Sequence, residues 1–149
     1  MIRKAVFRLL DANANRALEG LRVCEEIVRF HMASPRAFRR LRALRHAAAG
    51  AIRALPISPR ELLAARESRG DVGRRAPAGR VASLEQLILI NFQRAKEALR
   101  TLEECSRIAA PRSAAVFQRV RFRTYEVERH VLLTLASVRH HRPVRRRRP

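Results

Sequence analysis

The chain has 149 residues, 47% of them hydrophobic, with five Gly, one Tyr and no Trp. A chain of this length forms one domain and buries about 68–70% of its unfolded surface, which excludes intrinsic disorder for its body. No run of about 18 uncharged apolar residues is present, so a membrane-spanning helix is excluded. The shortage of glycine and aromatic residues argues against a β-sandwich or barrel. The first eight residues do not resemble a secretion signal, and we expect a cytoplasmic, all-α protein with no membrane partner.

The charge is strongly positive, with 33 lysines and arginines against 13 acidic residues and a net charge of +20. Six of the arginines fall within residues 139–149, which we expect to be a disordered basic tail. Arginine at this density is typical of nucleic-acid binding, of phosphorylated ligands, or of a GC-rich genome that encodes Arg in place of Lys. Of these, a nucleic-acid partner is not favoured.

The cysteines and histidines form no metal-site pattern. Cys24 and Cys105 are too few for a disulfide framework, and we expect two buried thiols in a reducing compartment. The histidines are scattered along the chain, and none has a partner at the spacing of a metal site.

A repeat at an offset of 78 residues organises the chain. Residues 13–26 align with residues 91–104, and eight of these fourteen positions are identical. The similarity resumes after a one-residue slip, where residues 38–42 align with residues 117–121. The sequence therefore predicts one helical domain over residues 1–138. It is a four-helix-bundle-like pair of duplicated helical hairpins, units 8–55 and 83–138, related by a pseudo-twofold axis.

The first unit predicts two helices joined by a sharp turn. Apolar residues recur at three- and four-residue steps through residues 13–28, and Asp11 is the expected N-cap of this helix. Ser34 followed by Pro35 predicts the start of the second helix, which Pro56 ends.

The second unit follows a long central loop at residues 56–82, whose first part is expected to hold a short helix over residues 59–66. Ser83 and Gln86 have the spacing of a capping box at the start of the third long helix. Pro111 breaks the chain before the last helix.

The same three polar residue types recur at the same helical phase in both units: Asn13, Arg16 and Glu19, then Asn91, Arg94 and Glu97. Each asparagine falls inside the apolar stripe, where an amide is costly unless its hydrogen bonds are met. Two interpretations follow. The sets form two facing polar patches of a functional site, or the asparagines are a satisfied polar pair that fixes helix register.

Other charged groups are less distinctive. Arg22 and Arg100 point away from the apolar stripe, and the adjacent glutamates at 25–26 and 103–104 are expected to form helical charge pairs. In the central loop, Gly70-Asp71-Val72-Gly73 lies among arginines. Such a loop can hold a phosphate, with Asp71 recruiting Mg²⁺ or accepting a proton, or it can be an ordinary Gly-Asp turn.

Three motifs in this order resemble a known family: residues 11–23, Asp71-Val-Gly, and residues 91–104. The family is the small helical domain often fused ahead of thiamine-phosphate synthase in bacteria, regarded as an alternative hydroxymethylpyrimidine phosphate kinase. The resemblance covers nearly all of residues 8–138. It implies a thiamine-biosynthesis kinase that uses ATP and Mg²⁺ to convert 4-amino-5-hydroxymethyl-2-methylpyrimidine phosphate to the diphosphate.

On this resemblance we assign roles to residues by their chemistry. Asp71, Glu19 and Glu97 are the candidate catalytic residues, with Asp71 as the metal ligand. The candidate substrate and phosphate-binding residues are Asn13, Asn15, Arg16, Arg22, Arg66, Gly70, Gly73, Asn91, Arg94 and Arg100.

The chain departs from the family pattern in three ways: the synthase barrel is missing, Arg74 stands where a small hydroxyl residue is expected, and Glu67 replaces an Asp. One alternative is therefore a non-catalytic module that binds a pyrimidine phosphate or docks on a separate thiamine-phosphate synthase. A less favoured alternative is an Arg-rich nucleic-acid binder. A homodimer is compatible with the sequence.

Overall fold

The computed structural model describes the backbone of residues 1–140 and the side chains of residues 1–137. Residues 141–149, most of the tail expected at 139–149, lie outside the described residues. The helices are α1 (Ile2–Ile27), α2 (Pro35–Arg53), α3 (Pro59–Ala65), α4 (Leu84–Ala109) and α5 (Pro111–His140), with a π-helical turn at Val28–Met32. The described residues contain no strand, which confirms the all-α class. No helix among them combines the length and apolar character needed to cross a bilayer.

Helix α1 begins at Ile2, so the prediction that Asp11 is its N-cap is wrong. No Gly or Pro interrupts residues 2–19, and Val6, Phe7 and Leu10 extend the buried stripe towards the N-terminus. Asp11 therefore lies within the helix, where it is buried and accepts two hydrogen bonds from Arg66.

The predicted caps are confirmed in part. Ser34 caps α2 through its hydroxyl, which accepts from Ala37 N. Ser83 caps α4 by accepting from Gln86 N, but Gln86 Oε1 accepts from Ala82 N and not from the Ser83 amide that a capping box requires.

The short helix α3 lies where the sequence predicts it. A complete capping box starts it, since Ser58 Oγ accepts from Glu61 N while Glu61 Oε2 accepts from Ser58 N. The sequence analysis did not anticipate this box.

The four long helices pack as a ring around one apolar core. Helix α1 contacts α2 and α4, and α5 completes the ring by contacting both α2 and α4. Fully buried side chains from all four helices fill the centre, including Leu10, Leu41, Phe92 and Phe117. The pseudo-twofold relation between the two hairpins stays a prediction.

Helices α1 and α4 run antiparallel and approach closely at Gly20. Cys24 Sγ donates to Ile88 O at 3.6 Å. Gly20, one turn earlier in α1, faces Asn91 and Ala95, which come later in α4. The two helices therefore run in opposite directions. A Cβ atom at Gly20 would lie 2.9 Å from Asn91 O, a backbone atom. The absence of a side chain at this position is therefore what allows the two helices to touch.

Replacing Gly20 by Ala tests this contact. In an unconstrained helix the change is favourable by about 1 kcal/mol, but here the methyl group meets backbone, and overpacking costs about 1–3 kcal/mol. We expect Gly20→Ala to lower the free energy of unfolding by up to about 2 kcal/mol in urea titrations.

Gly50→Ala in α2 is the matched control, because a Cβ there meets nothing within 4 Å. It should raise the free energy of unfolding by about 0.5–1 kcal/mol. Equal stabilisation by both substitutions would show that α1 and α4 are not in close contact.

Candidate functional site

A groove of about 460 Å³ lies between α1 and α4. Gly20, Ala98 and Thr101 line it. The other lining residues are the two Asn–Arg–Glu sets: Asn13, Arg16, Glu19, Asn91, Arg94 and Glu97. Its volume lies within the range of about 300–1,000 Å³ that is typical of small-molecule sites. The repeat thus supplies matching polar residues to one concave surface from two different helices.

Asn13 and Asn91 sit at the base of the groove and are 6% and 5% exposed. Each Nδ2 donates to the carbonyl four residues earlier, Leu9 O and Leu87 O, at 2.9 Å. Neither Oδ1 has a hydrogen-bond partner among the described residues. Each asparagine is therefore anchored by one N–H and keeps an acceptor for a ligand.

The groove arginines have no partner within the described part of the chain. Arg16 and Arg94 are exposed and form no hydrogen bond or ion pair there. Glu19 is likewise unpaired within residues 1–137, whereas Glu97 Oε1 accepts from Gln93 Nε2 at 2.8 Å. Unpaired guanidinium groups in a concave site are well suited to bind an anion, and phosphate most of all.

The antiparallel register places Arg16 level with Glu97 and Arg94 level with Glu19. Despite these opposite charges, no ion pair of 4.0 Å or less joins the two helices across the described groove. The two walls thus hold complementary charges apart, leaving room for a ligand between them.

Arg22 and Arg100, predicted to bind phosphate, form the same ion pairs in the two repeats. Arg22 contacts Glu25 and Glu26 at 3.3 and 2.6 Å. Arg100 contacts Glu103 and Glu104 at 3.2 and 2.7 Å. The predicted helical charge pairs are confirmed, and neither arginine lines the groove.

The same glutamates also link α1 to α2 and α4 to α5. Arg45 of α2 binds the buried carboxylate of Glu25, and Arg121 of α5 binds that of Glu103 at 2.8 Å. The hydrogen bond to Glu103 raises the pKa of the Arg121 guanidinium. Each central helix is thus tied to its neighbour by a buried carboxylate.

Asn15 and Arg66, also predicted to bind substrate, lie away from the groove. Asn15 is on a different face of α1, and Arg66, which follows α3, contacts that face. Both bind Asp11: Asn15 Nδ2 donates to its carbonyl oxygen at 2.9 Å, and Arg66 donates two bonds of 2.8 Å to its carboxylate. Asp11 and Asn15 are one turn apart, but Asn13 points nearly opposite because residues two apart are rotated by about 200°. Arg66 therefore fastens the central loop to α1.

The central loop forms a separate arginine-lined concavity. Arg69, Arg74 and Arg75 surround Asp71, and none of them lines the α1–α4 groove. Asp71 Oδ1 accepts from Gly73 N at 2.9 Å, an ordinary turn contact. The roles predicted for Asp71, Gly70 and Gly73 stay predictions, and the structure does not bring these residues to the groove.

Glu67, which departs from the family pattern, has a defined place in this loop. Its Oε1 accepts from the amides of Arg69 and Gly70 at 2.8 and 3.0 Å. These backbone hydrogen bonds lower the pKa of the Glu67 carboxyl. Glu67 thus holds the turn that precedes Asp71.

Within the described residues, no three His, Cys, Asp or Glu side chains converge to hold a metal ion. A magnesium ion does not need such a cluster, because it is commonly held by one or two carboxylates together with substrate phosphates and water. The unpaired carboxylate of Glu19 fits that mode of binding. Both cysteines are free and buried as predicted, and burial raises the pKa of each thiol.

Three groove residues were missed by the sequence analysis: Gly20, Ala98 and Thr101. Gly20 and Ala98 occupy equivalent repeat positions, four residues after each groove arginine. Two small residues at equivalent positions indicate a close helix contact. This pattern could have identified Gly20 and Ala98 from the sequence. Thr101 aligns with Val23 and carries no such signal.

The fold and site define an all-helical protein whose polar groove is lined by residues of two similar sequence segments, 13–26 and 91–104. Residues 8–130 match the model of the ThiD2 family. The chain belongs to this family.

Its relatives are considerably longer proteins. The chain is 34% identical over 134 residues to a thiamine-phosphate synthase of Nostoc sp., with 88% of this chain and 36% of that protein aligned. It is 36% identical over 138 residues to the enzyme of Rhodopirellula baltica, covering 91% and 36%. For the enzyme of Synechocystis sp. the identity is 36% over 131 residues, covering 86% and 36%. The chain thus spans about a third of each relative, and no solved structure matches it significantly.

The unpaired state of the groove arginines has a measurable consequence. Arg16→Ala and Arg94→Ala remove no hydrogen bond or ion pair within the described residues, so each should change the free energy of unfolding by less than about 0.5 kcal/mol. Arg121→Ala should cost about 3 kcal/mol, because it removes a partner from the buried Glu103 carboxylate. Urea denaturation of the three variants tests this difference. A loss at Arg16 or Arg94 as large as that at Arg121 would mean that the groove set is structural.

Proposed function

We propose that the protein transfers the γ-phosphoryl group of ATP to hydroxymethylpyrimidine phosphate, forming the pyrimidine diphosphate in thiamine biosynthesis. The observation that carries this proposal is the α1–α4 groove, where two unpaired arginines face two buried asparagines. Membership of the ThiD2 family and similarity to thiamine-phosphate synthases support the assignment to this pathway.

The chemistry of the acceptor explains why cations matter more than a general base. The attacking group is an oxygen of a phosphate monoester, which is already largely ionised at neutral pH since its second pKa is about 6. This oxygen forms a bond to the γ-phosphorus, the bond to the bridging oxygen breaks, and ADP leaves. No proton has to be removed from the nucleophile.

Two anions must nevertheless be brought together, and this is the role of the groove residues. Arg16 and Arg94 each donate to phosphoryl oxygens and offset the repulsion between them. Glu19 would hold the magnesium ion that accompanies the nucleotide, and this ion would supply further positive charge near the transferring group.

Asn13 and Glu97 suit the pyrimidine ring. An amide offers a donor and an acceptor side by side, the pattern that matches the amino group and ring nitrogen of an aminopyrimidine edge. Because Asn13 is anchored by its hydrogen bond to Leu9 O, it presents this edge in a fixed orientation. The groove thus combines phosphate and aminopyrimidine recognition.

A non-catalytic pyrimidine-phosphate-binding or synthase-docking module is the second candidate. It is favoured by the separation of Asp71 from the groove. Under this alternative the groove binds the pyrimidine phosphate without turnover, and a separate thiamine-phosphate synthase is the partner.

The direct test is to incubate the protein with hydroxymethylpyrimidine phosphate, ATP and Mg²⁺ and to detect the pyrimidine diphosphate by chromatography. We expect turnover in the wild type, a loss of about 10²-fold or more in Arg94→Ala, and a similar loss in Glu19→Gln. Arg42→Ala, which removes an exposed arginine of α2 outside the groove, is the matched control and should retain full activity.

Two other outcomes are informative. Stabilisation of the fold by the pyrimidine phosphate without any turnover would favour the binding module. A loss of turnover in Asp71→Asn with full activity in Glu19→Gln would contradict the placement of the site in the groove and move it to the central loop.

A further inference from the structure

The groove consists of two half-sites, because α1 and α4 contribute to it in opposite directions. The first half-site is formed by Asn13 and Arg16 of α1 with Glu97, Ala98 and Thr101 of α4. The second is formed by Glu19 and Gly20 of α1 with Asn91 and Arg94 of α4. Each therefore holds one amide, one guanidinium and one carboxylate.

Arg16 and Arg94 enter the groove from different helices and at different levels. In the antiparallel register, Arg94 is level with Glu19 of α1, three residues beyond Arg16, or about 4.5 Å along the helix axis. The two arginines also extend from opposite walls of the groove. Each can therefore give bidentate hydrogen bonds to a phosphoryl group of its own.

The half-sites also differ in ways that suit different ligands. In the second, Glu19 has no partner among the described residues. In the first, Glu97 is oriented by its 2.8 Å hydrogen bond from Gln93, and Thr101 adds a hydroxyl whose proton goes to Glu97 O. A free carboxylate suits a metal-bound polyphosphate, and a fixed carboxylate suits a hydrogen bond from an amino group.

We infer that the groove binds two phosphate-bearing ligands at once: the magnesium-nucleotide donor at Glu19, Gly20, Asn91 and Arg94, and the pyrimidine monophosphate acceptor at Asn13, Arg16, Glu97 and Thr101. The inference rests on the proposed function for the identity of the two ligands. It adds to that function a location for each ligand and a separate role for each repeat. The duplicated sequence element thereby supplies two unlike binding sites that share one cleft.

Isothermal titration calorimetry with MgADP and hydroxymethylpyrimidine phosphate tests this assignment, since ADP with the acceptor forms a complex that does not turn over. The wild type should bind both ligands together. Arg94→Ala should weaken MgADP about tenfold or more and leave the pyrimidine phosphate within about twofold, because a charged hydrogen bond is lost in one half-site only. Arg16→Ala should have the converse effect.

Two further variants sharpen the result. Glu19→Gln should weaken MgADP and raise the Mg²⁺ concentration needed for its binding, without affecting the pyrimidine phosphate. Arg42→Ala, the matched surface control, should bind both ligands as the wild type does. Because these measurements report binding, they do not depend on whether the chain is catalytically active.

The outcomes separate this inference from the proposed function. Competition between the two ligands, or equal weakening of both by each arginine variant, would overturn the two half-sites. A split binding pattern without turnover in the kinase assay would support the half-sites and contradict catalysis. Failure of the folded wild type to bind either ligand would overturn both proposals.

Discussion

The contact between α1 and α4 at Gly20 is the constraint on which the rest of the structure depends. A Cβ atom there would lie 2.9 Å from a backbone oxygen of α4, so the two helices can meet only where no side chain intervenes. Beside this contact, the larger residues that flank it cannot close the gap, and the groove opens. A short helix separation and an open polar cleft are thus two results of the same packing.

Three buried acidic residues pair with arginines that hold the fold together and not with the arginines of the groove. Glu25 and Glu103 are buried and tie the central helices to α2 and α5 through arginines, while Asp11 fastens the central loop through Arg66. Because these carboxylates are satisfied by scaffold arginines, they do not neutralise Arg16 and Arg94. In a chain of net charge +20, this leaves two guanidinium groups available to phosphate in the one groove that carries the repeated polar set.

Much of the fold could be predicted from the sequence, because helix periodicity and capping are local properties. The serines at 34 and 83 located the starts of α2 and α4 correctly. The start of α1 was misplaced because Asp11 has the chemistry of an N-cap, and only its tertiary partner Arg66, 55 residues away, shows that it is an internal ion pair.

The candidate site was predictable to the extent that it is repeated. The Asn–Arg–Glu sets were recognised by their equal helical phase, and they meet because α1 and α4 pack antiparallel. Asn15, Arg66, Arg22 and Arg100 could not be placed in the same way, since whether an arginine is paired depends on carboxylates from other helices. The loop residue Asp71 was grouped with the groove residues by motif order, which carries no information about distance.

Nuclear magnetic resonance of the asparagine side chains tests most directly whether the α1–α4 groove is the ligand site. The Nδ2 resonances of Asn13 and Asn91 can be assigned with Asn→Asp variants and followed while hydroxymethylpyrimidine phosphate and MgADP are added. The account predicts that both amide groups shift in a saturable way, while the backbone amides of residues 69–75 change little. Saturable shifts confined to residues 69–75, with both asparagine side chains unmoved, would contradict it.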